Sequence, residues 1–533
     1  MQRRSFLIGA GAAALGGAAG LWRWQEIPAA VRAPGKAEGH FLRDRRPLPA
    51  PTAAIDIDVV ILGSGIAGLT AAWKMQREGK SDFLVIDGPE LYGNAAGGKV
   101  GELAYPTGAH YLPVPSMESF HVREMLGDLG IIQRNPMQER PVYDERALLH
   151  GPSERILFNG RWQEGLIPTE GVPTPELEEH KRFFREVERL RSLRDRDGKR
   201  IFAIPSTLSS RDAQWLALDR ITFKAWADQQ GYRSPTLLWH LDYCCRDDYG
   251  RRADQVSAWA GLHYFCSRNG KAENAENGAW LTWPGGLHPV AEAMDKLAGS
   301  RRRRGTAVSL KQIAGRVEAL CFELVDGVAR TFVVRARRAI CAMPLHVAAR
   351  VVTAIKDYGF DPASHMPTYA PWMVSNFMMN AFPRELPEAP LSWDNVVCQE
   401  PGLGYVVSTH QDIRVTPPPK TIFTAWTALS DRSPADAASW MEHATPAALL
   451  AVASADLKSA YGWRLAACVE RVDITLRAHA MATPRPGFRS NAGLKALREL
   501  DGPIVFAHAD LSGFSVFEEA AWWGYRAAQL NLG

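Results

Sequence analysis

The sequence is poor in the features that mark several protein classes. Its seven cysteines, Cys244, Cys245, Cys266, Cys321, Cys341, Cys398 and Cys468, form an odd count with no C-x-x-C pair. That spacing argues against a zinc ribbon and against a disulfide scaffold, so no metal is expected. The adjacent Cys244 and Cys245 read as packing residues. An excess of one charge is missing too. The 62 basic residues face 58 acidic ones, a net charge of +4, and nothing points to a nucleic-acid partner. Arg301 to Arg304 are the one basic run. They read as a solvated loop before a strand, with contact to an anionic membrane surface as the alternative. No apolar run reaches the ~20 residues needed to span a bilayer. What remains is ordinary: 46% hydrophobic and 23% charged residues, in a chain of 533 that can build two or three cores.

The N-terminus carries Arg3 and Arg4 ahead of Ser5, Phe6 and Leu7, then an apolar run to Leu21. Residues 1–22 resemble a twin-arginine signal, whose pathway exports folded proteins, with an ordinary secretory signal or a short amphipathic start as the alternative. No small-x-small cleavage site stands out, which leaves an uncleaved anchor open. Residues 23–54, rich in proline and alanine, read as a linker. The expected location is periplasmic or otherwise extracytoplasmic.

"DVVILGSGIAGL" places an apolar strand, Val59 to Leu62, directly before Gly63, Gly65 and Gly68, with a helical run from Leu69 to Arg77 behind them. Three glycines at this spacing serve a tight turn, close backbone approach to a pyrophosphate, and close helix–strand packing. The helix start offers free N–H groups and the positive end of its dipole. A second strand, "DFLVID", ends at Asp87, where a carboxylate accepts hydrogen bonds from the adenosine ribose. The order strand, glycines, helix, strand, acid predicts an α/β fold with a Rossmann-type dinucleotide site. Gly97, Gly98 and Lys99 follow, the glycines allowing backbone approach and the lysine adding a charge for a phosphate. Near the C-terminus, "GPIVFAHADLSGFSVFEEAAWWGYRAA" reads as a strand, Asp510, a turn, and a final helix beginning near Phe517.

These motifs, together with "GGK", "GAHYL", "WPGGLHPVAEAMDKLA" and "ARRAICAMP", resemble the flavin-containing amine oxidases, and within them the exported members related to spermidine dehydrogenase. The resemblance implies an FAD-binding domain made of residues 55–104, 283–345 and 487–533, and a mixed α+β substrate domain made of 105–282 and 346–486. It implies that the strand around Leu310 passes the adenine and that Asp510 bonds the ribityl chain. The helix start at Phe517 would face the pyrimidine side, where its dipole stabilises negative charge on the reduced ring. The implied activity is oxidation of an amine, polyamines included, with oxygen or a membrane or periplasmic carrier accepting the electrons. No cysteine follows Cys468, so the FAD is expected to be non-covalent. A buried FAD also suits export, because it travels inside the folded protein.

By the same resemblance His110 and Tyr111 of "GAHYL", His479 of "RAHAMATPRPG", and Trp372 and Asn376 of "APWMVSNF" line the flavin. His110 and His479 are the candidate bases for the amine proton, with a packing role for either as the alternative. Tyr111, Trp372 and Asn376 are the candidate substrate contacts. Seventeen tryptophans, Trp393 and Trp426 among them, make cation–π walls available. One departure stands out: family members often carry a lysine where this chain reads "APWMVSNF". Two other functions remain open: a desaturase-like or protoporphyrinogen-oxidase-like flavoprotein with a hydrophobic substrate, and a non-catalytic flavin-bearing partner subunit. Carboxylates at the far end of the pocket would favour the amine, and an apolar tunnel the desaturase.

Overall fold

The computed structural model describes residues 24, 26–299, 301–326, 328–386, 388–416 and 418–532. Residues 1–22, read from the sequence as a twin-arginine signal, lie outside them. Strand Ala53–Leu62 runs between Phe83–Ile86 and the long strand Val328–Cys341, parallel to both. Val328–Cys341 also pairs in parallel with the C-terminal strand Ile504–Phe506. The hairpin partners Thr306–Ile313 and Arg316–Val325 extend the sheet on one side, and Arg302–Arg303 closes it on the other, giving seven strands. Val59 to Leu62 are fully buried, as are Val334 and Ile340. Continuous apolar runs of this kind belong to strands covered on both faces. Helices Ile66–Arg77 and Phe517–Leu530 pack against each other over this sheet, at close range through Gly524, where a Cβ would fall 2.1 Å from the Ala67 carbonyl oxygen.

A second sheet has eight strands, ordered Ala29–Arg32, Val469–Thr483, Thr368–Met379, Thr421–Ala428, Tyr405–Val407, Asp394–Val397, Glu154–Phe158 and Arg161–Glu164. Alternation along Thr368–Met379 divides its faces. Met373 and Phe377 join Phe423 and Ile474 in one core, with Ala437, Met441 and Leu449 from the covering helices. Each such side chain contributes roughly 1.5–3 kcal/mol on full burial. Trp372, Val374 and Trp426 point the other way, into a core shared with helices Pro235–Tyr249 and Ala258–Ser267. That second face meets the nucleotide half of the molecule.

Residues 23–54 are more than a linker. Ala29–Arg32 is an edge strand paired in parallel with Val472 to Thr475, and Lys36–Arg43 is a helix. The strand's side chains are largely exposed, so its pairing rests on main-chain hydrogen bonds and leaves no hydrophobic period in the sequence.

Candidate active site

The glycine turn has the geometry its spacing predicts. Gly63 sits at φ 118°, and a Cβ there would lie 2.7 Å from the Ala342 carbonyl oxygen. A Cβ on Gly68 would lie 1.9 Å from the Gly63 oxygen, so that glycine is required by the approach of helix to strand. Gly65, at the N-cap of Ile66–Arg77, has nothing within 4 Å of its Cβ position. Space is therefore kept open at the helix start, where unpaired N–H groups receive an anion. Asp87 completes the cradle. Its Oδ1 is buried without a hydrogen-bond partner, and Arg302 Nε lies 3.5 Å away. Burial pushes its carboxyl up to about 6, against the pull of Arg302. An orphaned buried acceptor beside an open helix start fits an adenosine ribose and its pyrophosphate.

A second orphan lies near the C-terminus. Asp510 Oδ2 accepts from the Leu345 N–H at 2.9 Å and from the Tyr369 hydroxyl at 2.5 Å. Its Oδ1 has no hydrogen bond, although His508 Nδ1 is 3.2 Å away and accepts from the Asp510 N–H. Burial opposes ionisation here, but His508 and these donors overcome it and hold the carboxyl at about 2. A permanently ionised acceptor with one free oxygen fits a polyol chain such as ribityl. Phe517 opens the final helix as expected, and the Glu518 carboxyl behind it is pushed up to about 7 by burial.

Gly98 packs against the ring of Tyr105, whose nearest atom a Cβ would meet at 2.4 Å. Lys99 does not join the cradle as the sequence suggested. Its side chain is exposed and pairs with Glu102 at 3.4 Å, because the hairpin Gly97–Val100 and Leu103–Pro106 turns it outward.

The Trp426 face of the large sheet bounds a narrow cavity. His110 stacks on Trp426 with ring centroids 4.0 Å apart, and Trp393 stands 5.5 Å from it on another side. Tyr111 meets Trp280 edge to face at 4.7 Å. Strand pairing sets this wall, since Tyr111–Pro113 lies antiparallel to Trp280–Thr282 and Thr282 Oγ1 donates to the His110 carbonyl. Trp426 Nε1 in turn donates to the Gly108 carbonyl at 3.0 Å.

The same cavity is lined by three carboxyl groups, Glu154, Asp247 and Asp394. Asp394 and Glu154 are register partners on parallel strands, and Asp247 comes from the last turn of Pro235–Tyr249. Among the described residues, no basic side chain lies within 4 Å of any of them. Asp248, next in sequence, is matched by Arg268 at 2.6 Å. Burial raises all three, alone at Glu154 and against the pull of Arg268 and Arg246 at Asp247. Asp247 is pushed up to about 7 by burial and by Asp248, and Asp394 goes well above the usual range through burial, Glu154 and Asp247.

The structure thus brings His110 and Tyr111 together in one cavity but leaves the other candidates elsewhere. His479 stacks on His346 at 4.6 Å and meets Tyr369 at 5.8 Å, which puts it in the cluster around Asp510. Trp372 is buried on the cavity-facing side of the sheet and packs over Gly250. Asn376 Oδ1 accepts from Thr424 Oγ1 at 2.8 Å, farther along the same face. Glu154, Asp247, Asp394 and Trp280 escaped the sequence reading, because no local motif marks them.

Three comparisons bear on the fold. The family of NAD(P)-binding Rossmann-like domains matches residues 61–129. No curated protein matches the sequence. Among solved structures the chain is similar to wild-type putrescine oxidase bound to putrescine, with 16% identity, TM-score 0.61, and coverage of 89% of this chain and 99% of that one. The chain has the amine-oxidase fold. Cyclohexylamine oxidase from Brevibacterium oxydans is another neighbour, at 17% identity, TM-score 0.58, and 89% and 98% coverage. So is a CLA-producing fatty acid isomerase from P. acnes, at 14% identity, TM-score 0.55, and 89% and 98% coverage. The amine-oxidase fold therefore accommodates more than one chemistry, and the cavity must decide.

Proposed function

We propose that this chain is an exported FAD-dependent oxidoreductase that oxidises an amine, with diamines and polyamines its preferred class. The observation that carries the reading is a set of three carboxyl groups, with no basic side chain among the described residues within 4 Å, in one cavity with aromatic rings. Burying carboxyl groups without counter-charge is costly. A cationic ligand offsets that cost, and the rings add a cation–π attraction of about 0.5–2 kcal/mol. An apolar substrate would make no use of these acids, which argues against the hydrophobic-substrate reading.

Gly63, Gly65 and Gly68 would hold the FAD pyrophosphate, Asp87 the adenosine ribose, Asp510 the ribityl chain, and the start of Phe517–Leu530 the pyrimidine side. Bound FAD supplies a hydride acceptor. The chain's own residues position the amine, exclude water and take up the ammonium proton. Burial pushes His110 down to about 3, so it is neutral at working pH and holds a proton poorly. Its place is in the wall, stacked on Trp426. Asp247, at about 7, is better matched to accept the proton, because a base works best with a pKa near the operating pH. His479, away from the chamber, is left a packing role. Electrons then pass to oxygen or to a carrier outside the cytosol.

The decisive experiment is anaerobic mixing of holoprotein with a panel of mono-, di- and polyamines and of apolar alkenes, following loss of the visible flavin absorbance. Bleaching by diamines or polyamines is expected. Bleaching by the apolar compounds alone would overturn the reading. Export is tested separately: replacing Arg3 and Arg4 by lysine should retain the protein, still carrying FAD, in the cytosol.

A further inference from the structure

After Asp87 the chain leaves the nucleotide sheet, and residues 88–96 fold back against the glycine turn. Gly93 lies beside Gly65, its Cβ position 3.8 Å from the Gly65 Cα. The Tyr92 N–H donates to Ser64 Oγ at 3.4 Å, and Ser64 Oγ donates to the Asp87 carbonyl at 2.7 Å. The segment therefore borders the space left open at the start of Ile66–Arg77. Tyr92 and Gly93 both adopt left-handed backbone, at φ 67° and 54°. That conformation is strained for a tyrosine, and such strain persists only where the surroundings impose it. Here Tyr92 is buried, its hydroxyl donates to Asp295 at 3.0 Å, and its ring meets His288 at 5.2 Å. Arg302 bridges Asp295 and Asp87, at 3.3 and 3.5 Å.

The other half of the molecule grips the same segment. Arg477, on strand Val469–Thr483 of the large sheet, makes a two-pronged pair with Glu90: Nη1 lies 2.7 Å from Oε2 and Nη2 lies 2.9 Å from Oε1. Its Nε donates to the Thr107 carbonyl at 3.0 Å, so one guanidinium ties down both Glu90 and the turn before His110. Farther along the strand, the Ala480 carbonyl accepts from Asn94 Nδ2 at 2.7 Å. Arg477 and Glu90 are largely withdrawn from water, with 10% and 19% of their side-chain surfaces exposed. Such a bidentate pair resists opening better than a solvated one like Lys99–Glu102.

We propose that residues 88–96 are a clasp over the pyrophosphate space, latched to the substrate half by Arg477 and Glu90. The dinucleotide enters and leaves when the latch parts, as a ligand does beneath a closing loop. Arg477 is a positioning residue, acting through Glu90 and the chain it holds. Retention of the cofactor is thereby governed from the substrate half. This rests on the FAD reading above.

Two rates test it: release of FAD from holoprotein, followed by the rise in flavin fluorescence on dilution, and rebinding of FAD to apoprotein. Arg477→Gln and Glu90→Gln should each speed release by about 10-fold or more. A gate works in both directions, so each should also speed association, by about threefold. The double variant should add little to either single one, and Arg477→Lys, which keeps the charge without the fork, should fall between. Hydrogen exchange is read on the same proteins. The amides of residues 88–96 should exchange faster in the Gln variants while Ala53–Leu62 keeps its protection, which shows that the variants are folded. Faster exchange at 88–96 in a protein that binds no FAD would retain the clasp and defeat the FAD reading. Unchanged release, unchanged association or unchanged exchange at 88–96 would each overturn the clasp and leave Arg477 and Glu90 a packing contact.

Discussion

Gly63, Gly65 and Gly68 stand within one turn of chain, whereas Glu154, Asp247 and Asp394 come from three distant segments. The cradle works by leaving side chains out, so that backbone and ligand approach each other. The chamber works by the side chains themselves, aromatic rings together with three acids that have no basic side chain among the described residues within 4 Å. A cradle of the first kind tolerates little change at its glycines but is indifferent to much of its surroundings. The chamber tolerates changes of shape better than changes of charge. Evolution of a new substrate preference on this fold would therefore act on the second region and leave the first intact.

The sharpest way to break the comparison is at the glycines. Gly68→Val should prevent folding, because its Cβ would sit 1.9 Å from a backbone oxygen. Gly65→Val should give soluble, colourless protein with native circular dichroism, since only the open ligand space is filled. Yellow Gly65→Val protein would show that the pyrophosphate lies elsewhere.

In the chamber, Asp247→Asn and Asp394→Asn should each lower kcat/KM for a diamine by about 10²-fold with FAD content unchanged, and Trp426→Leu should lower it by about 10-fold. Stopped-flow reduction normalised to bound FAD measures both. Equal losses for apolar test compounds would mean that the carboxyl groups shape the cavity without reading charge.

The pH dependence follows from the same acids. Asp247 has its folded-state pKa raised from 3.8 to about 7, so the folded protein favours its protonated form. The penalty for ionising it is absent below about pH 4 and complete above about pH 7. Amine-free protein should lose stability on this account as pH rises through that window. Asp247→Asn should remove the loss and raise Tm at pH 8 by about 1–3 °C in thermal scans. Diamine binding should tighten over the same window, as the carboxylate becomes available. The smallest effect is expected at Lys99→Ala, where FAD affinity should stay within about twofold, since a solvent-exposed ion pair contributes little.

How far the sequence could be read follows the same division. Strand, glycines, helix and Asp87 are a local pattern, and the fold places them as that pattern predicts. Asp510 and the helix at Phe517 are likewise local. Lys99 misled because a two-residue turn sets its direction and nothing in the motif records that turn. The chamber was legible only where a motif ran into it, at His110 and Tyr111. Trp393 and Trp426 were visible as available rings without an address. Asp394 becomes a functional candidate only when parallel pairing sets it opposite Glu154, and Asp247 only when Arg268 is found to pair with Asp248 instead. Those are facts of tertiary contact, and a single chain read residue by residue does not contain them.

The strand Val328–Cys341 has Ala53–Leu62 on one flank and Ile504–Phe506 on the other, so the first and last parts of the described chain meet across it. During synthesis the nucleotide sheet lacks its final strand, and the site lacks Asp510, until the C-terminal segment has left the ribosome. A ligand that needs Asp510 can accordingly be enclosed only once that segment has emerged. A chain cut short by thirty residues would carry every glycine of the fingerprint and still be unable to close around its ligand.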